Sequence, residues 1–337
     1  MSVAFWIGLG GTLVVFFTLA AYTTLAERKI SAYIQDRVGP NRVGPWGLLQ
    51  PLADVLKLVL KEALQPSSTY QFLQLLSPVL MVTLAMGAVA ILPLSPHLQF
   101  FQGNIGILYL LGVLSMGVYG LSLAGWSTGS KYSLLGGLRS GAQVISYELS
   151  LGTALLSVLL LTAFLVPNAN PLLPRSIVEA QKNGWFFLLN PVGFIIYTIA
   201  AFAEANRAPF DLVEAEQELV GGYHTEYSAI RFGAFFVAEY MNVITASALI
   251  STFFFGGYLS PLDGLLKVSQ WSVLWQNLWG AGWLLLKTIL WVFIFIWVRW
   301  TLPRFRYDQL MIVGWKVLLP LGVINLGVLA GILLVIQ

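Results

Sequence analysis

Eight apolar runs, at about 3–26, 73–94, 104–125, 143–166, 191–205, 230–257, 282–300 and 315–336, set what this chain can become. About 20 apolar residues cross a bilayer as a helix, and a helix is forced there because hydrocarbon leaves no water to satisfy open backbone groups. The fifth run is short. It reaches spanning length only if its helix continues through Glu204 to Ala208, where Pro209 is expected to stop it. At 58% hydrophobic and 10% charged, the chain departs from the composition of soluble domains, about half apolar and a quarter charged. The expected fold is an all-α integral membrane protein, a bundle of eight transmembrane helices forming a single domain over residues 1–337, with an amphipathic interfacial helix in its first inner loop. The first run is too long and continuous for the core of a cleavable signal peptide, and it is read as the first span. No Arg-rich, Ser-rich presequence is present, so insertion without a transit peptide is expected.

An even number of spans puts both termini on one side, and the cations choose the side. Arg28, Lys29, Arg37, Arg42, Lys57, Lys61, Lys131, Arg139, Arg207, Arg231, Arg299, Arg304, Arg306 and Lys316 fall on one set of loops and span ends; only Arg175, Lys182, Lys267 and Lys287 fall on the other. This bias places the loops near 27–72, 126–142, 204–229 and 299–314 inside and both termini outside. In the first inner loop, a tandem RVGP at 37–40 and 42–45 makes a stiff cationic segment. It leads into Leu52, Val55, Leu56, Val59, Leu60, Ala63 and Leu64, which recur at helical spacing with Asp54, Lys57, Lys61 and Glu62 between them. That pattern predicts a helix of about a dozen residues lying at the interface. On the outer side, Trp271, Trp275, Trp279 and Trp283 read as an aromatic belt ahead of the seventh span.

The chemistry concentrates in AEANRAPFDLVEAEQELVGGYHTEYS, residues 203–228, which carries six of the fifteen acids: Glu204, Asp211, Glu214, Glu216, Glu218 and Glu226. A carboxylate beside hydrocarbon is costly unless it is paired, wet or protonated. Glu204 and Arg207 stand three apart and can pair on one helix face. Asp211 followed by Glu214 reads as a helix N-cap with an acid at N3. Glu148 and Glu239 are expected inside the fourth and sixth spans, either hydrogen-bonded to a neighbouring helix or on a proton path. Glu27, Arg28 and Lys29 end the first run, where cations suit the helix dipole; Arg37 and Arg42 also suit anionic lipid.

Composition removes several function classes. With no cysteine there is no disulfide, Cys-ligated zinc or iron–sulfur cluster. His97 falls outside and His224 inside, so they cannot share a haem or metal. No nucleotide-binding glycine motif appears, and a net charge of +3 does not point to nucleic acid.

The runs AERKISAYIQDRVGPNRVGPWGLLQPLADVLKLVLKE (26–62), SYE (146–148), the 203–228 stretch, AEYMN (238–242) and PRFRYDQLM (303–311) resemble one membrane component of bacterial NADH:quinone oxidoreductase, the NADH dehydrogenase subunit 1 of respiratory complex I. The resemblance covers essentially the whole chain. It implies a multi-pass subunit of the bacterial plasma membrane with both termini periplasmic. Such a subunit forms the membrane side of a quinone (ubiquinone-type) chamber and links quinone reduction to proton translocation, without catalysing alone. By motif match, Arg28, Arg37, Trp46 and Arg299 would line or guard the chamber. The family's proton pathway would fall on Glu27, Asp54, Glu62, Glu148, Glu204, Arg207, Asp211, Glu214, Glu216, Glu218 and Glu239. The chain itself is expected to bind no cofactor and no metal; NADH, FMN and iron–sulfur clusters would belong to peripheral-arm partners. Small and antiporter-like membrane subunits and the lipid bilayer would be further partners. Many relatives read AETNR where this chain has AEANR, so Ala205 removes one hydroxyl beside Glu204. Two other readings stand beside this one: a stand-alone secondary transporter using the same glutamates, and a passive anchor for a peripheral oxidoreductase, including the membrane-bound hydrogenases.

Overall fold

The computed structural model describes residues 3–67, 69–100, 103–213 and 216–336. Among them the only extended pairing is an isolated bridge between Ser95 and Leu98. In chain order the helices are α1 (Val3–Ile34), α2 (Gln50–Leu60), α3 (Gln71–Val89), α4 (Gly106–Ser127), α5 (Lys131–Leu165), α6 (Pro174–Ala180), α7 (Phe186–Leu189), α8 (Pro191–Glu204), α9 (Glu216–Leu219), α10 (Ala229–Phe254), α11 (Asp263–Leu266), α12 (Val273–Thr301), α13 (Tyr307–Ile312) and α14 (Leu319–Ile336). A π-helical turn, Val313–Leu318, joins the last two into one rod.

Seven of these elements are long and apolar enough to cross a bilayer: α1, α3, α4, α5, α10, α12 and the α13–α14 rod. The eighth expected span is α8, with 14 residues. It rises about 21 Å, short of a hydrocarbon core of about 30 Å. Its expected extension to Ala208 does not form. The helix ends at Glu204, Asn206 takes a φ of 50°, and the amide of Arg207 donates back to Phe202 O at 3.4 Å. Ala208 precedes a proline and resists the helical conformation, so the chain leaves the helix a few residues before Pro209.

A second difference lies at 126–142, expected as a loop. Only residues 128–130 separate α4 from α5, and α5 runs for 35 residues, about 52 Å, so it projects well beyond the hydrocarbon. Glycines permit this. A Cβ on Gly125 would stand 2.5 Å from Ser133 O and 3.0 Å from Gly137 Cα, so α4 and α5 touch backbone to backbone there, the close approach that small residues provide between membrane helices.

The loops gather at two ends of the bundle. At the end rich in Lys and Arg, hereafter the basic end, Tyr70 N donates to Ser127 O at 2.8 Å, Leu64 N to Ser228 Oγ at 2.9 Å and Phe305 N to Pro209 O at 3.1 Å. At the opposite end, Ile107 N donates to Leu172 O at 3.0 Å and Ser95 Oγ to Asn277 Oδ1 at 2.9 Å. The interior is aromatic: Phe202 stacks on Phe295 at 3.8 Å, and Phe187, Phe194, Phe255 and Trp291 interlock near the opposite end. Outward-facing leucines, isoleucines and valines of α14, such as Leu321, Ile324 and Val328, are exposed on the chain by itself. They suit hydrocarbon.

The predicted amphipathic helix is α2, opened by Pro51 at its start, where the missing N–H costs nothing. Leu58 packs towards Gly233 of α10, while Leu52, Val55, Leu56, Val59 and Leu60 remain exposed. An apolar face left open on a helix too short to span fits the bilayer interface.

Candidate functional site

Four elements at the basic end deliver charged side chains to one buried place. Glu27 comes from α1, which continues past it to Ile34 instead of ending there; Arg207 follows α8; Glu239 lies on α10; and Arg299 lies near the end of α12. The Arg207 Nη1 donates to both oxygens of Glu27 at 3.3 Å. Its Nε lies 2.9 Å from Glu239 Oε1, though the N–H is not aimed at that oxygen. The guanidinium also sits 4.4 Å over the Tyr240 ring, adding a cation–π contact. Arg299 completes the group by bonding Glu27. Glu27 and Arg207 are each 5% exposed. With Thr23, Tyr240, Phe295 and Arg299 they line a cavity of about 10 Å³, at the lower limit for one water.

This arrangement replaces the expected Glu204–Arg207 pair. Once the chain turns at Asn206, Arg207 is directed at two acids distant in sequence, Glu27 and Glu239, and Glu204 is left on the other side of the turn. Asp211 differs from expectation as well. It caps no helix; its Oδ2 accepts from Arg304 Nη2 at 2.9 Å, joining the loop after α12 to the loop after α8. Burial pulls the Asp211 carboxyl above the ordinary aspartate range, and the nearby Arg304 opposes that shift. Glu214 lies outside the described residues. So does the Glu216 side chain, although its backbone opens α9.

The remaining candidates are more open. Arg28 pairs with Asp54 of α2 at 2.8 Å and Glu218 with Arg139 at 2.5 Å; in each pair one side chain is about half exposed. Such pairs contribute about 0–1 kcal/mol, so they position loops and do little for stability. Arg37 bonds Gln35 at 2.7 Å, and Trp46 is 82% exposed with its carbonyl accepting from Lys29 Nζ at 2.5 Å. Glu62 is exposed beyond the end of α2. The structure therefore brings Glu27, Arg207, Glu239 and Arg299 into one cluster and leaves Arg28, Arg37, Trp46, Asp54 and Glu62 on the open surface of the basic end.

A second acidic pair lies deeper. Glu148 is the eighteenth residue of α5, near the middle of the helix because α5 starts early, and it accepts from Ser115 of α4. It faces Glu204 electrostatically. Glu204 lines a cavity of about 60 Å³ enclosed by α3, α4, α5, α8 and α10, with Asn206, Asn242, Thr245 and Tyr197 as polar neighbours. At roughly 10–15 Å³ per water, the space has room for a few waters beside a carboxylate. Gln143 closes the near side, donating to Ala203 O at 2.8 Å and Asn206 Oδ1 at 3.2 Å.

His224 sits in the same acidic loop, stacked between Tyr223 and Phe232 with centroids at 5.0 and 5.2 Å. Burial pushes its imidazole down from 6.5 to about 4. As pH falls through that window, the unfolded chain takes up a proton that the folded loop refuses, so the native state loses stability from pH 6.5 down to about 4. The thermal midpoint of the assembled complex is expected to fall less steeply over that range in His224→Phe, which keeps the stack. Equal slopes would assign the acid sensitivity to other groups.

Several members of the site went unread in the sequence. Arg304 and Tyr240 stand inside the PRFRYDQLM and AEYMN motifs, but nothing local pairs them with Asp211 and Arg207. Ser115 is a lone hydroxyl in GVLSMGV, a polar break in an apolar run that could have been matched to a buried acid.

A family model described as NADH dehydrogenase matches residues 7–330. Among similar proteins, subunit 8 of the NADH-quinone oxidoreductase of Rhodothermus marinus is 51% identical, covering 97% of this chain and 96% of that protein. An NADH-quinone oxidoreductase subunit from Salinibacter ruber is 50% identical over 95% and 94% of the two chains, and one from Protochlamydia amoebophila 47% over 93% of each.

Proposed function

The chain belongs to the NADH dehydrogenase family, as a membrane subunit of the NADH-quinone oxidoreductase complex, and from that premise we propose that it couples quinone reduction to proton movement through the buried Arg207 cluster. The carrying observation is one guanidinium shared between carboxylates of two different spans, Glu27 and Glu239. Arginine stays charged at any working pH. A shift of Arg207 towards either acid therefore leaves the other short of its counter-ion, and a buried carboxylate without one takes up a proton. Arg299 bonds Glu27 from the other side, so a negative charge developing on quinone near Arg299 draws that cation away and unbalances the group. This is a two-state element of the kind that coupling requires.

In this reading the basic end faces the cytoplasm of a bacterial inner membrane and receives the peripheral arm, whose subunits hold FMN and iron–sulfur clusters and pass on electrons from NADH. Arg28, Arg37 and Trp46 on the open surface, with Arg299 below them, form this chain's share of the quinone chamber. Asp54 and Glu62 stand at its approach. Protons pass between Glu27 and Glu239, with Arg207 as their shared counter-ion and Asp211, Glu214, Glu216 and Glu218 in the loop, to the small cavity at Glu204 and on to Glu148, towards antiporter-like membrane partners.

The test is Glu239→Gln in the assembled complex, reconstituted in vesicles. NADH-driven proton movement is expected to fall by at least about a hundredfold, the low end of what a positioned proton-transfer group contributes. NADH oxidation by an artificial acceptor acting on the peripheral arm is expected to hold. Pumping at the wild-type rate would reject the assignment.

A further inference from the structure

At the end of the bundle opposite the acidic loop, a cavity of about 830 Å³ opens between α6, the 184–188 segment, the 256–268 segment and the start of α12. Most charged residues of that end line it: Arg175, Glu179, Lys182 and Asp263. Lys287 lies directly beneath. It is buried, and its Nζ donates to Phe255 O at 2.6 Å, Gly257 O at 2.8 Å and Leu259 O at 2.7 Å, fixing the loop that forms one wall.

The acids here are already engaged. Glu179 accepts from Arg175 Nε at 3.0 Å. Asp263 accepts from Ser260 N at 2.8 Å and Trp279 Nε1 at 2.9 Å, and it offsets the Lys287 charge. Three cations thus face two carboxylates. Lys182 is exposed and makes no ion pair among the described residues, while Arg175, which bonds Glu179 and the Tyr258 hydroxyl, has five guanidinium N–H groups and keeps others for a ligand.

The height of this cavity in the bilayer is marked by its neighbours. Trp279, which bonds its Asp263, belongs to the Trp271–Trp279–Trp283 ladder with centroids 5.7 and 6.1 Å apart. Such belts sit at the headgroup level. Trp185 and Leu188 line the rim, and Leu188 and Leu189 are 68% and 52% exposed. A net positive polar cavity at headgroup height, open beside exposed leucines, matches an anionic phospholipid: phosphate on Lys182 and Arg175, chains against the leucines.

We infer that this cavity is a binding site for the headgroup of an anionic phospholipid, with Lys182 as its principal cation. The test uses the assembled complex, delipidated in detergent and titrated with phosphatidylglycerol while bound lipid is counted by native mass spectrometry. Lys182→Gln is expected to lower the affinity of one lipid site about fivefold, the worth of one basic residue at a membrane surface, and Lys182→Glu to lower it further. Lys267→Glu, the same charge change at that end but outside the cavity, is expected to leave the count at the wild-type level. Neither phosphatidylcholine nor millimolar inorganic phosphate is expected to displace the bound lipid. The inference is overturned if Lys182→Glu retains the full count, if Lys267→Glu loses as much, if either competitor displaces the lipid, or if a cross-linker on Lys182→Cys traps a neighbouring polypeptide.

Discussion

Arg207→Gln is expected to be the most damaging single substitution at the basic end, costing about 3–5 kcal/mol of stability, the usual penalty for removing one partner of a buried ion pair. The cause is what remains. Glu239 loses the cation it pairs with, and Glu27 keeps Arg299 alone. The measurements are the yield of assembled complex, its thermal midpoint and NADH-driven quinone reduction, all of which should drop together. The double variant Arg207→Gln with Glu239→Gln removes both members of one pair and is expected to recover part of the loss, a coupling that a double-mutant cycle reads directly. Arg28→Gln is the contrast. Its pair with Asp54 is 52% and 30% exposed, and its effect on stability should stay below about 1 kcal/mol. If Arg207→Gln behaved like Arg28→Gln, the cluster would be held by other contacts and would not be a switch.

The difference between those two arginines is not visible in the sequence, and its absence there is instructive. Apolar run length located seven spans, because hydrocarbon imposes helices and their length on any chain that crosses it, and the helical spacing of its leucines and valines located α2. The loops that charge bias grouped on one side are joined to one another by hydrogen bonds. Run length failed where polarity and packing part company: α5 begins at Lys131 because Gly125 and Gly137 let it lie against α4, although Lys131 and Arg139 read as loop. It failed again at α8, where the turn at Asn206 is set by what Arg207 reaches and by Pro209, and not by hydropathy. The buried cluster joins residues from four elements, and a long-range pairing leaves no local spacing to read. What the sequence did offer was the family motifs, which contain Glu27, Arg207 and Glu239 without saying that they meet.

The 203–228 stretch is correspondingly resolved into separate jobs, and the second large effect is expected at its first acid. Glu204→Gln should assemble normally, because the amide matches the carboxylate in size and the site is a small cavity with room for water and with Asn206, Asn242 and Thr245 for company. It cannot carry a proton. If Glu204 is the link between the Arg207 cluster and Glu148, NADH-driven proton movement in vesicles should fall about a hundredfold, the low end of what a positioned acid–base group contributes, with the complex intact on a native gel. Glu204→Asp keeps a titrating group and should retain part of the rate. Because Glu148 and Glu204 act in series, Glu148→Gln alone should cost about as much as the pair of substitutions together, the non-additivity expected of residues that work as a unit. Additive losses would place the two acids on separate paths. Wild-type pumping in Glu204→Gln would leave the cavity as packing space, and the proton route would have to leave the Arg207 cluster in another direction.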